Sequence, residues 1–127
     1  MTADVITERL CHLAADERRL RSDRTNPLKL MRKLIEDSGY SIERNTLNRT
    51  TIISVLTESP KLVHDWWLWS GDQRWPEGWC LDECNGQYSV YYYPEGENLR
   101  FTDRLHACAE YIVRVIHWIL NRANGVS

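Results

Sequence analysis

One dipeptide constrains this chain more than any other stretch of it. Asn85-Gly86 lies between Trp79-Cys80-Leu81-Asp82-Glu83-Cys84 and Gln87-Tyr88-Ser89-Val90-Tyr91-Tyr92-Tyr93. Both turn residues tolerate positive φ, which a two-residue hairpin between right-twisted strands requires. The turn also dictates the register. Glu83 falls opposite Tyr88, Leu81 opposite Val90 and Trp79 opposite Tyr92 on one face, while Cys80, Asp82, Cys84, Gln87, Ser89 and Tyr91 take the other. The first set is mostly apolar and is expected to pack on helices, and the second is mixed and expected to be wet. A further turn at Pro94-Glu95-Gly96-Glu97 leads to Asn98-Leu99-Arg100-Phe101, which makes the hairpin a three-stranded antiparallel meander.

A small sheet needs a helical layer to cover its apolar face, and the flanking sequence supplies one. Ile6, Leu10, Leu13 and Leu20 recur at helical spacing and predict one amphipathic helix over Thr2 to about Arg21. Asn26 reads as an N-cap before Pro27, and Leu28, Met31, Leu34 and Ile35 trace a second helix stopped by Gly39. Between residues 40 and 60, Ile52, Ile53, Val55 and Leu56 fit a helical turn or a strand, and a short helix ending before Pro60 is preferred. Lys61 to Trp69 continues as helix or leads into the sheet. Ser70-Gly71-Asp72 reads as a break, and Trp75-Pro76-Glu77-Gly78 as a turn. Thr102 is placed as the cap of a long C-terminal helix whose stripe is Leu105, Ala109, Ile112, Val113, Ile116 and Ile119 or Leu120. With 127 residues the chain can bury about two-thirds of its unfolded surface, so we expect one α+β domain spanning 1–127.

The formal charge of −2 conceals an asymmetry. Asp65, Asp72, Glu77, Asp82, Glu83, Glu95 and Glu97 stand against Arg74 alone, so residues 65–97 carry −6 and the rest +4. The same stretch holds Trp66, Trp67, Trp69, Trp75 and Trp79 with Tyr88, Tyr91, Tyr92 and Tyr93. Packing accounts for most of these rings, Trp79 and Tyr92 among them. It does not account for all, because consecutive strand residues point to opposite faces and Tyr91, Tyr92 and Tyr93 cannot enter one core. Exposed rings among carboxylates suit a basic protein partner: the rings supply contact area and the acids steer association. Nucleic acid would be repelled, and a sequence pI near 6.1 agrees.

Catalytic constellations are hard to assemble from what remains. His12, His64, His106 and His117 are isolated, and His106 and Cys108 at i and i+2 do not face each other on a helix. Cys80 and Cys84, four residues apart on an extended strand, stand about 13 Å apart, too far to share a zinc ion. Gly71, Gly78, Gly86 and Gly96 are single turn residues and build no phosphate loop. The expectation is therefore no catalytic residues, no metal and no cofactor. No export signal is visible and the most apolar window, Tyr111 to Leu120, contains Arg114 and His117, so we expect a cytoplasmic chain with free thiols and no membrane segment. Arg18, Arg19, Arg21 and Arg24 read as a solvated helix end.

Ser70-Gly71-Asp72-Gln73-Arg74-Trp75-Pro76-Glu77-Gly78-Trp79, the tyrosine-rich run Tyr88 to Tyr93, and Phe101-Thr102-Asp103-Arg104 leading into Ala107-Cys108-Ala109-Glu110-Tyr111-Ile112 together resemble the small bacterial immunity proteins of polymorphic toxin and contact-dependent growth inhibition systems. The resemblance covers roughly residues 66 to 115. It implies a non-enzymatic cytoplasmic protein that binds and neutralises one cognate toxin domain, often a nuclease. The candidate partner-binding residues are Asp72, Glu77, Asp82, Glu83, Tyr91, Tyr93, Glu95 and Glu97, with carboxylates mimicking or blocking phosphate contacts and tyrosines as anchors. The alternative is a small ligand-binding domain or enzyme that uses the Trp-rich region as an apolar pocket.

Overall fold

The computed structural model describes residues 3–21, 27–43, 46–73 and 77–123. Five helices precede the sheet: α1 Ala3–Cys11, α2 Leu13–Leu20, α3 Pro27–Asp37, α4 Arg49–Glu58 and α5 Pro60–Asp72. Strands β1 Gly78–Cys84, β2 Gln87–Tyr93 and β3 Asn98–Phe101 follow, and α6 Arg104–Ala123 closes the chain. The strands form one antiparallel sheet in the order β1-β2-β3, so the chain has the expected α+β class. The hairpin register is the one its turn dictates, with Glu83 paired to Tyr88, Leu81 to Val90 and Trp79 to Tyr92. Asn85 and Gly86 take φ of 53° and 78°, the positive values that close a two-residue turn. At the second turn the Tyr92 amide donates to the Glu97 carbonyl at 2.9 Å. A Cβ on Gly96 would meet the Tyr92 Cβ at 2.9 Å, so only glycine fits that close approach.

Helix α6 is the centre of the molecule. One side meets all three strands and the other meets α3, α4 and α5. Its Ala107, Cys108, Tyr111, Ile112, Val115, Ile116 and Ile119 are buried. Against them the sheet sets Trp79, Leu81 and Val90 with the half-buried Tyr88, Tyr92, Leu99 and Phe101. Trp66 and Trp69 of α5 are fully buried and meet Tyr111 at ring-centroid distances of 6.2 and 6.3 Å.

Three expectations need correction. The single N-terminal helix is two helices broken at His12, whose amide bonds back to the Arg9 carbonyl in a tight turn. The break lets neighbouring buried residues face different partners. Leu10 and Cys11 end α1, which packs on α4, while Leu13 and Ala14 begin α2, which packs on α3 and α5. Ser70-Gly71-Asp72 does not interrupt α5, whose last turn is held by two tertiary ion pairs and one local side-chain bond. The Asp72 carboxylate accepts from Arg18 Nε at 2.9 Å and from Arg21 Nη1 at 3.3 Å, and the Ser70 hydroxyl donates to the Trp67 carbonyl. Finally, the α6 cap is Asp103 and not Thr102: its Oδ1 accepts from the Leu105 amide at 3.0 Å, and its carbonyl takes the first helical bond, from Ala107.

Other readings agree with the chain. Residues 49–58 are helical and end before Pro60, capped by Asn48, which accepts from the Thr50 and Thr51 amides. Lys61 to Trp69 is helix, and Gly39, at φ 92°, ends the α3 segment. Thr2, the Asn26 cap, Arg24 and the Trp75-Pro76 half of the first turn lie outside the described residues.

Candidate protein interface

The eight candidate residues divide by the side of the sheet they serve. Asp72, Glu77 and Glu97 turn towards the helical layer. Asp72 is held by Arg18 and Arg21 of α2, Glu77 accepts from Arg122 at 3.2 Å, and Glu97 accepts from Arg114 at 2.8 Å. All four arginines come from outside residues 65–97, so folding brings part of the positive remainder of the chain onto its negative stretch. Each of these acids is an exposed or part-exposed structural tie.

Asp82, Tyr91 and Tyr93 project from the opposite face of the sheet. Alternation along β1 and β2 puts Cys80, Asp82 and Cys84 beside Tyr91, Ser89 and Gln87, and β3 adds Asn98 and Arg100. The helices that touch the sheet meet its Trp79-Leu81-Val90 face, and the outer-face side chains from Cys80 to Cys84, Gln87 to Tyr93 and Asn98 to Arg100 are exposed or half-buried, with Gly78 beside Tyr93 buried. Tyr93 is 50% exposed. Tyr91 is half-buried, and its hydroxyl donates to the Cys80 thiol. Burial first, and the neighbouring Cys80 and Asp82 next, push the Tyr91 phenol above its ordinary range and keep it a neutral donor. Asp82 is exposed and accepts from the Glu83 amide at 2.8 Å. Glu83 lies at the hairpin end of the inner face and takes a hydrogen bond from Tyr88, while Glu95 is exposed in the β2–β3 turn. The structure therefore brings Asp82, Tyr91 and Tyr93 onto one face of the sheet that no described helix covers, with Glu83 and Glu95 at its margins.

Of the features weighed for other chemistry, several tryptophans, two cysteines and His117 are buried or half-buried, while His12, His64, His106 and Cys84 are exposed. Trp66, Trp69 and Trp79 pack in the core, where Trp66 meets Trp69 and Trp79 meets Tyr92 edge to face. Burial pushes the Cys11 thiol up to about 12 and raises that of Cys108 as well, which leaves both poor nucleophiles. His117 is half-buried, hydrogen-bonded to the Tyr40 hydroxyl at 2.8 Å. Among the described residues no group of three or more His, Cys, Asp or Glu could hold a metal ion, and no helix is long and apolar enough to cross a membrane.

Two buried acids and one exposed base were not singled out from the sequence. Glu17 accepts from Trp69 Nε1 at 2.8 Å and is doubly bonded to Arg21, and Glu110 is clamped between Arg49 and Arg114. Their i,i+4 arginines are visible in the sequence, but their burial is not. Arg100 joins the outer face only once β3 is paired to β2 opposite Ser89. Comparison with protein-family models, curated proteins and solved structures finds no match to the chain.

Proposed function

We propose that this chain is a cytoplasmic immunity protein that binds one cognate bacterial toxin domain and neutralises it by occlusion. The observation that carries this reading is the sheet face left uncovered by the helices, on which Tyr91 and Tyr93 stand beside Asp82. A tyrosine exposing half its surface offers a rigid ring with a polar tip, a side chain that gains much contact area for little lost entropy. The carboxylates at Asp82, Glu83 and Glu95 favour a basic toxin surface, such as the phosphate-binding site of a nuclease. Asp72, Glu77 and Glu97 hold arginines of their own chain and belong to the scaffold of this surface.

The reading is tested first by the neighbouring reading frame. A large secreted protein with a variable C-terminal domain is expected just upstream, and a metabolic operon there overturns the proposal. Expression of that C-terminal domain is expected to arrest growth, and co-expression of this chain to restore it. Y93A and D82K are expected to weaken the complex at least about tenfold. If both variants protect and bind like the parent chain, the outer sheet face is not the interface.

A further inference from the structure

The outer face is not uniformly acidic. Arg18, Arg21, Arg49, Arg114 and Arg122 each reach a carboxylate, and Arg104 lies over the Trp67 ring at 4.7 Å. Arg100 has no such partner among the described residues. It is exposed on β3, directly across from Ser89, which is itself across from Asp82. An open depression of about 430 Å³ lies beside it, lined by Cys84, Asn85, Gln87, Ser89 and Arg100.

We propose that this depression is a socket for a carboxylate side chain of the partner protein, with Arg100 as its charge. The inference rests on reading the outer sheet face as the partner-binding surface. A guanidinium offers two parallel N–H donors that match a planar carboxylate. The Ser89 hydroxyl and the Gln87 amide supply further donors for the lone pairs that a bidentate pair leaves open.

Charge complementarity selects a protein as the source of that carboxylate. Asp82 and Arg100 occupy one row of the sheet, separated by two strand spacings, about 10 Å. A polyanion lying along the row from Arg100 would meet Asp82 two strands away. A protein surface that presents a base to Asp82 and an acid to Arg100 satisfies both, and a partner with the charges transposed is rejected twice. The row thus sets the orientation of docking as well as its strength. Arg100 also stands on an edge strand, where a charge deters strand-to-strand association of copies, and the test separates that role from the socket.

Affinity for the C-terminal domain encoded upstream is measured for the full chain and for R100A, R100K and R100E, with Y93A and D82K beside them. Circular dichroism and urea midpoints establish that each variant is folded. R100A is expected to weaken binding about tenfold and R100E more, with R100K between the parent and R100A because a lysine keeps charge without the fork. Reversing one acid of the partner to arginine is expected to restore R100E. If R100E binds within twofold of the parent while Y93A and D82K weaken the complex, the socket is overturned and the functional reading stands. If R100A self-associates on sedimentation with affinity unchanged, edge protection is its role and the socket is again overturned. If the parent chain does not bind, or no variant alters binding, the functional reading falls and the socket with it.

Discussion

Glu17 acts beyond its own helix, joining α2 to α5 through Trp69. It is fully buried, and a carboxylate is stable there only because Trp69 Nε1 and two guanidinium nitrogens of Arg21 satisfy it. Removing it takes an acceptor from a buried indole and loosens the Arg21 bridge to Asp72. E17A is expected to cost about 2–4 kcal/mol by urea denaturation, and E17Q less, since the amide oxygen still accepts. Tyr111 is the converse case. Its fully buried hydroxyl finds no hydrogen-bond partner among the described residues, so Y111F is expected to leave the urea midpoint unchanged or raise it. His117 gives the pH dependence. Burial, and then the charge of Arg114, hold the imidazole below the ordinary histidine value of 6.5. As pH falls through that value the unfolded chain takes up a proton that the folded chain resists, so stability is complete above it and declines below it. Urea midpoints at pH 7.5 and 5.5 are expected to differ less in H117Q than in the parent chain.

At the scale of elements, α6 depends on how it starts. The Asp103 carboxylate is held below its ordinary range by His106 first and by the Leu105 amide as well. D103A is therefore expected to cost about 1 kcal/mol in urea denaturation, while T102A is near neutral. The hairpin was readable because a two-residue turn is local chemistry: Asn85 and Gly86 dictate the pairing that then sorts every side chain of β1 and β2 between two faces. The helix bounds were readable where apolar periodicity met a local stop, as at Gly39 and Pro60. They are not legible in the local sequence where a distant group decides the outcome. Asp72 stays helical because arginines of α2 reach it, and His12 breaks its helix because α1 and α2 answer to different neighbours. The candidate site followed the same rule. Asp82, Tyr91 and Tyr93 were placed by strand alternation, whereas the pairing of Asp72, Glu77 and Glu97 with remote arginines leaves no trace in local sequence.

At the scale of the whole molecule, the question is where the −6 of residues 65–97 acts. Folding pairs Asp72, Glu77 and Glu97 with arginines on the helical side, so their fields decay as those of dipoles, and they point away from the outer sheet face. Asp82 lies on that face, and Glu83 and Glu95 lie at its margins. Two triple variants, D72N/E77Q/E97Q and D82N/E83Q/E95Q, raise the formal net charge equally, from −2 to +1. A steering force set by net charge alone would treat them alike. At physiological salt, however, the screening length is about 8 Å, so a docking partner responds to charges near the contact. If the proposed function holds, the D82N/E83Q/E95Q variant is expected to slow association with the proposed partner at least about tenfold and to flatten its salt dependence, with dissociation little changed. The other variant is expected to associate at nearly the parent rate but to unfold at lower urea, having lost three interhelical or helix-to-sheet ties of up to about 1 kcal/mol each. Stopped-flow association rates from 50 to 500 mM salt distinguish the two. Equal slowing in both triples would mean that net charge steers the partner and that the outer sheet face has no privileged role in the encounter.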